Sequence, residues 1–101
     1  MLMIPVLVFF GSVISVTSDR ACDVCRCRDT KVDCMSQSLK EIPTDIPKNT
    51  TELYLQYNQI TKIPEAAFSD LVKLRILNLQ WNQITMIPET AFSGLVNLQD
   101  L

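Results

Sequence analysis

Four cysteines crowd into thirteen consecutive positions, in the order Cys22-x-x-Cys25-x-Cys27-x6-Cys34. Thiols this close have two chemistries open to them: oxidation to two disulfides, or deprotonation to hold a structural zinc ion. The compartment decides between them. The first 18 residues carry no charged side chain, and the apolar run over residues 2–10 gives way to small residues, with Val16 and Ser18 suiting a cleavage site after Ser18. That is the pattern of a secretory signal peptide, and it falls short of the roughly 20 apolar residues of a membrane span. Behind such a leader, with a single residue separating Cys25 from Cys27, disulfides are expected and no metal. Four cysteines allow three connectivities, all open at this point.

Other reactive groups are sparse. The chain has no histidine, which removes the commonest general base and the His-dependent nucleophile and metal sites. Its two glycines, Gly11 and Gly94, form no phosphate-cradling loop. Asp45 and Glu52 could be pictured as an acid–base couple, but nothing in the sequence brings them into a pocket, so no enzyme and no cofactor are expected. A net charge of −2, with basic residues adjacent only around Arg26 and Arg28, gives no footprint for nucleic acid. Asn49-Thr50-Thr51 is an N-x-Thr acceptor for an N-linked glycan in a secreted chain.

The elements that must position these residues follow from an internal repeat. Residues 53–76 laid over 77–100 agree at 16 of 24 positions. The shared skeleton pairs Leu53 with Leu77, Leu55 with Leu79, Asn58 with Asn82, Ile60 with Ile84, Phe68 with Phe92, Leu71 with Leu95 and Leu74 with Leu98. Leu53 and Leu55 alternate with polar residues, which sets them on one face of a short strand. Asn58 and Asn82 end the strands, where an amide that donates and accepts can satisfy the backbone of an inward bend, and the two form a structural asparagine ladder. Ile60, Ile63, Ala67, Phe68, Leu71 and Leu74 line the inside of the return. Pro64 and Pro88 exclude a long regular helix there.

A period of 24 written L-x-L-x-x-N-x-I is the leucine-rich-repeat signature. With the cysteine cluster before it, the chain resembles extracellular leucine-rich-repeat proteins, a group that includes Slit-type guidance proteins, small matrix proteoglycans, Nogo-receptor-like surface proteins and the variable lymphocyte receptors. The resemblance implies an α/β-type repeat solenoid: a horseshoe segment with short parallel concave strands, an irregular or 3-10 convex side and a disulfide-stapled N-terminal cap. It also implies the pairing Cys22–Cys27 and Cys25–Cys34. The expected organisation is a signal peptide over 1–18, a cap with a shortened first repeat over 19–49, repeats over 50–73 and 74–97, and the start of a third at 98–101. Within the cap, Val32 and Cys34 stand 21 residues before Leu53 and Leu55, so the sheet is expected to begin there, while Gln37 stands where an Asn would continue the ladder. Two full repeats bury little, so the chain reads as the N-terminal part of a longer protein.

The surface left for function is the concave sheet face. Glu52, Tyr54 and Gln56 on the first repeat, and Ile76, Asn78 and Gln80 on the second, alternate with the buried leucines, and Tyr57 and Trp81 lie just beyond, one coil apart. These eight residues are the candidate ligand-binding set, with Tyr and Trp the residue types that anchor protein interfaces. The opposing reading is a solvated sheet with the two rings stacked on each other. The expected function is a secreted or cell-surface module that binds an extracellular protein, part of a receptor, guidance, immune or matrix protein. A structural matrix component, or an incomplete fragment without independent function, is the alternative. No membrane span is expected within these residues, and a downstream anchor is compatible with the reading.

Overall fold

The computed structural model describes residues 20–101, so the leader assigned to residues 1–18 lies outside the described part. One helical turn, α1 (Ala21–Val24), is followed by four three-residue strands: β1 (Arg26–Arg28), β2 (Lys31–Asp33), β3 (Glu52–Tyr54) and β4 (Ile76–Asn78). They form one sheet in the order β1-β2-β3-β4. β2, β3 and β4 are parallel, with Val32 opposite Leu53 and Leu53 opposite Leu77. The register therefore steps by 21 residues and then by 24, and a bridge from Ile76 to Asp100 carries the pairing one strand further. The sheet does begin inside the cap.

Leu53 and Leu55 are fully buried, and the half-buried Tyr54 between them faces the other way, the two-residue period of a strand with one covered face. Beyond the strands the ladder continues, with Leu55 N donating to Asn78 O at 2.8 Å and Tyr57 N to Gln80 O at 3.2 Å. The chain then returns through turns rather than a helix. In the first coil Ala67 N donates to Pro64 O and Leu71 N to Phe68 O; in the second Ala91 N donates to Pro88 O and Leu95 N to Phe92 O. Each proline gives its carbonyl to the turn and needs no donor of its own. Phe68 and Phe92 stack with centroids 6.1 Å apart and planes 1° from parallel. Burying Phe68 fully contributes about 1.5–3 kcal/mol.

Equivalent residues of the two repeats are not equally buried. Leu55, Ile63 and Phe68 lie in the core, whereas Leu79 and Phe92 are partly buried and Ile87 is exposed. Within residues 20–101 the first coil lies between the cap and the second coil, and the second packs against the first on one side and against residues 98–101 on the other.

The cap carries two features absent from the repeat pattern. β1 and β2 form an antiparallel hairpin pairing Cys27 with Val32, turned at Asp29, whose φ of 55° lies in the left-handed region that Asp tolerates. Ala21, fully buried, donates its N–H to Thr44 O at 2.7 Å, closing the start of the chain against the shortened repeat. Cys22 bonds Cys27 (S–S 2.02 Å) and Cys25 bonds Cys34 (S–S 1.99 Å). Cys34 is itself a core residue in the place of Leu55, so the second bridge ties the cap to the interior.

Candidate functional site

Two asparagines fix the bend at which the candidate face ends. The Asn58 side chain donates from Nδ2 to Cys34 O (2.9 Å), Leu55 O (2.9 Å) and Gln56 O (3.2 Å), and its Oδ1 accepts from Gln37 N (3.0 Å) and Leu39 N (2.9 Å). Asn82 donates to Leu55 O (2.9 Å) and Leu79 O (3.1 Å) and accepts from Ile60 N (3.0 Å). The rungs of the asparagine ladder are therefore backbone groups, and Leu55 O is shared by both amides. Gln37, in the equivalent place of the cap, contributes its backbone N–H to the ladder in place of a side-chain amide.

The concave face is arranged in rows across the strands. Lys31, Glu52 and Ile76 form one row, and Asp33, Tyr54 and Asn78 the next. Gln56 and Gln80 extend a third. Lys31 Nζ lies 3.8 Å from Glu52 Oε2. The Tyr54 hydroxyl donates to Glu52 Oε1, and that bond, with burial and the nearby carboxylates of Asp33 and Asp100, raises the Tyr54 phenol above its ordinary range. Glu52, Tyr54, Gln56, Ile76 and Asn78 are half-buried, and only Gln80 of the six strand positions is exposed. Ile76 thus corrects the sequence picture of an exposed apolar residue, because strands about 4.8 Å apart let neighbouring side chains cover one another. Gln56 Nε2 points at Met35 Sδ (3.5 Å), and its Oε1 is buried with no hydrogen-bond partner. Met35, absent from the sequence-derived set, belongs to this face, and the 21-residue offset that aligns it with Gln56 is the signal that could have found it.

At the exit of the strands stand the exposed aromatics. Tyr57 is 53% and Trp81 69% exposed, with ring centroids 5.8 Å apart and planes within 3° of parallel. Both backbones are left-handed, with φ of 61° and 59°, and so is Ser36 (φ 58°), their counterpart in the cap. The left-handed turn is thus a requirement of the coil at this position, one met most easily by Gly or Asn and disfavoured for bulky residues. Asn49 is exposed, in the turn before β3. Among the described residues no group of His, Cys, Asp and Glu side chains could hold a metal ion, and no helix is long and apolar enough to cross a membrane.

Stacked parallel strands joined by turn-built returns, with an asparagine at the bend of each full repeat, define a solenoid. A family profile described as "Leucine rich repeat" matches residues 48–101, more than half of the chain, and the chain belongs to that family. It is 55% identical over 47 residues to leucine-rich repeat-containing protein 3B of Homo sapiens, covering 46% of this chain and 18% of that protein. It is also 40% identical over 76 residues to leucine-rich repeat-containing protein 52 of Mus musculus, covering 71% and 24%. Among solved structures it resembles human 5T4 (Wnt-activated inhibitory factor 1, trophoblast glycoprotein), with a TM-score of 0.70 and 30% identity over 76% of this chain and 31% of that one. The chain spans about a fifth to a quarter of the length of these two curated relatives.

Proposed function

We propose that this chain belongs to a secreted or cell-surface protein-binding module and that the ligand, a folded extracellular protein, docks on the concave face and its exit rim. The observation that carries this reading is the exposure of Tyr57 and Trp81 on backbones where Gly or Asn would be the easier choice; the rings do stack on each other, as the solvated-sheet alternative expects, but the stacked pair stays mostly exposed. Aromatic residues at such positions supply rigid contact area, the property of interface anchors. Glu52, Tyr54, Gln56, Ile76, Asn78 and Gln80 form the polar surround, with Met35 beside them. In this reading residues 1–18 are a leader cleaved on export, 19–49 the cap, 50–73 and 74–97 the repeats, and 98–101 the start of a third. Export agrees with the two disulfides and with the likeness to a protein described as trophoblast glycoprotein.

Site-specific photocrosslinking tests this. The tagged chain is secreted with a photoreactive phenylalanine at position 57, 81 or, as a convex control, 66, and applied to intact cells. An adduct formed from 57 and 81, absent from 66 and competed by unlabelled chain, is the expected result. Adducts confined to position 66 would contradict the assignment.

A further inference from the structure

Asn49 is exposed, yet the two threonines that complete its acceptor sequence are held by the fold. Thr50 is fully buried, and both its N–H (3.1 Å) and its hydroxyl (2.6 Å) donate to Pro47 O. Thr51 donates its N–H to Thr30 O at 2.8 Å, and its hydroxyl lies 2.7 Å from Thr30 Oγ1 and 3.3 Å from Thr30 O. A glycan transferase reads the hydroxyl two residues after the asparagine together with the amide. In the folded coil that hydroxyl is engaged 21 residues away, at the turn that joins β1 to β2. We propose that Asn49 carries an N-linked oligosaccharide, attached before the cap hairpin docks on the first repeat; this rests on the secretory reading above.

Asn49 Nδ2 attacks the anomeric carbon of a lipid-diphosphate-linked oligosaccharide, forming the C–N bond as the C–O bond to the diphosphate breaks. The lipid diphosphate leaves with the bonding pair, and the amide proton passes to solvent.

The glycan also has a defined place. The bond from Thr50 N to Pro47 O recurs as Leu74 N to Leu71 O and Leu98 N to Leu95 O, so Asn49, Lys73 and Asn97 are equivalent positions at the entry to their strands. Tyr57 and Trp81 stand at the exit. A glycan on Asn49 covers the entry rim and leaves the aromatic rim open, which directs a protein partner to the latter.

The test uses the full chain behind its own leader in secretory cells. Protein from the medium is weighed before and after treatment with an N-glycosidase, for wild type, Asn49→Gln, Thr51→Ser and Thr51→Ala. One glycosidase-sensitive mass shift is expected in wild type and Thr51→Ser, and its loss in the other two. In a second arm, unglycosylated full chain, either reduced and unfolded or oxidised with no free thiol, is offered to solubilised transferase with lipid-linked donor; at least tenfold more transfer to the reduced form is expected. Wild-type protein in the medium with its leader removed but no glycan overturns the site. Equal transfer to both forms overturns the order of events. Retention of an uncleaved chain in the cytosol contradicts the secretory reading itself, and the inference falls with it.

Discussion

The Asn58 amide donates to the carbonyl of Cys34 at 2.9 Å, while the Cys34 sulfur is bonded to Cys25. One residue thus belongs to both the covalent cap and the first full repeat. Replacing Asn58 by Ala leaves Cys34 O without its buried donor and Gln37 N and Leu39 N, both part-buried, without their acceptor, and an orphaned buried group costs about 1–3 kcal/mol. Asn82 serves fewer groups and is half-buried. The expected loss on denaturant unfolding is therefore about 3 kcal/mol or more for Asn58→Ala and about 1–2 kcal/mol for Asn82→Ala. Equal losses would remove the special role of Asn58.

The two bridges should differ in the same way. Cys25–Cys34 spans nine residues of separation and ends in the core, whereas Cys22 and Cys27 are both exposed. Loop-closure entropy gives about 2–3 kcal/mol for either. The paired Ser variant of Cys25 and Cys34 additionally buries a hydroxyl in the place of Cys34, so it should lower the denaturation midpoint further than the paired Ser variant of Cys22 and Cys27. The reverse order would mean that the outer bridge holds the cap.

Tyr54 gives a pH signature. Its phenol is raised first by the hydrogen bond to Glu52 and then by burial and the surrounding carboxylates. A raised folded value means that the neutral phenol contributes stability present below the ordinary value near 10 and lost as pH climbs through the folded one. Stability should therefore fall on the alkaline side above about pH 10. In a titration followed by phenolate absorbance, Glu52→Gln should move one tyrosine's transition to lower pH. No movement would show that Glu52 does not hold the hydroxyl.

Leu55 and Leu79 are interchangeable in the repeat pattern and unequal in the fold. Leu55→Ala should cost about 2–5 kcal/mol by leaving a core cavity, and Leu79→Ala less, as read by chemical denaturation. Matching losses would contradict the difference in burial.

That contrast marks what the sequence could and could not supply. Periodicity fixes which side of each strand the leucines take, because a strand has only two faces, and so the solenoid and the start of the sheet at Val32 were legible. Burial depends on what lies against a coil, which no period encodes; Ile63 and Ile87 look identical in the pattern, and one is buried while the other is exposed. The β1 strand escaped the pattern because its three residues are all exposed and show no alternation. Tyr57 and Trp81 one coil apart allow a stack, but the left-handed backbone beneath both rings leaves no mark in the sequence, since nothing in Tyr or Trp favours it. Strand alternation sets Glu52, Tyr54, Ile76 and Asn78 on one side of the sheet, and Lys31, Asp33 and Met35 of the cap continue the same rows.

In the proposed function the two rings serve a partner rather than the fold. Asn suits a left-handed backbone, so replacing both Tyr57 and Trp81 by Asn relieves the disfavoured conformation and removes only the exposed stack. The most direct measurement is the saturable binding of tagged, secreted chain to intact cells, titrated for wild type and the double variant alongside their melting temperatures. Binding about 30-fold weaker or more, the loss of roughly 2 kcal/mol expected of an anchor pair, with an unchanged or higher melting temperature, is the predicted result. Unchanged binding, or a variant that loses its cooperative melting, would contradict it.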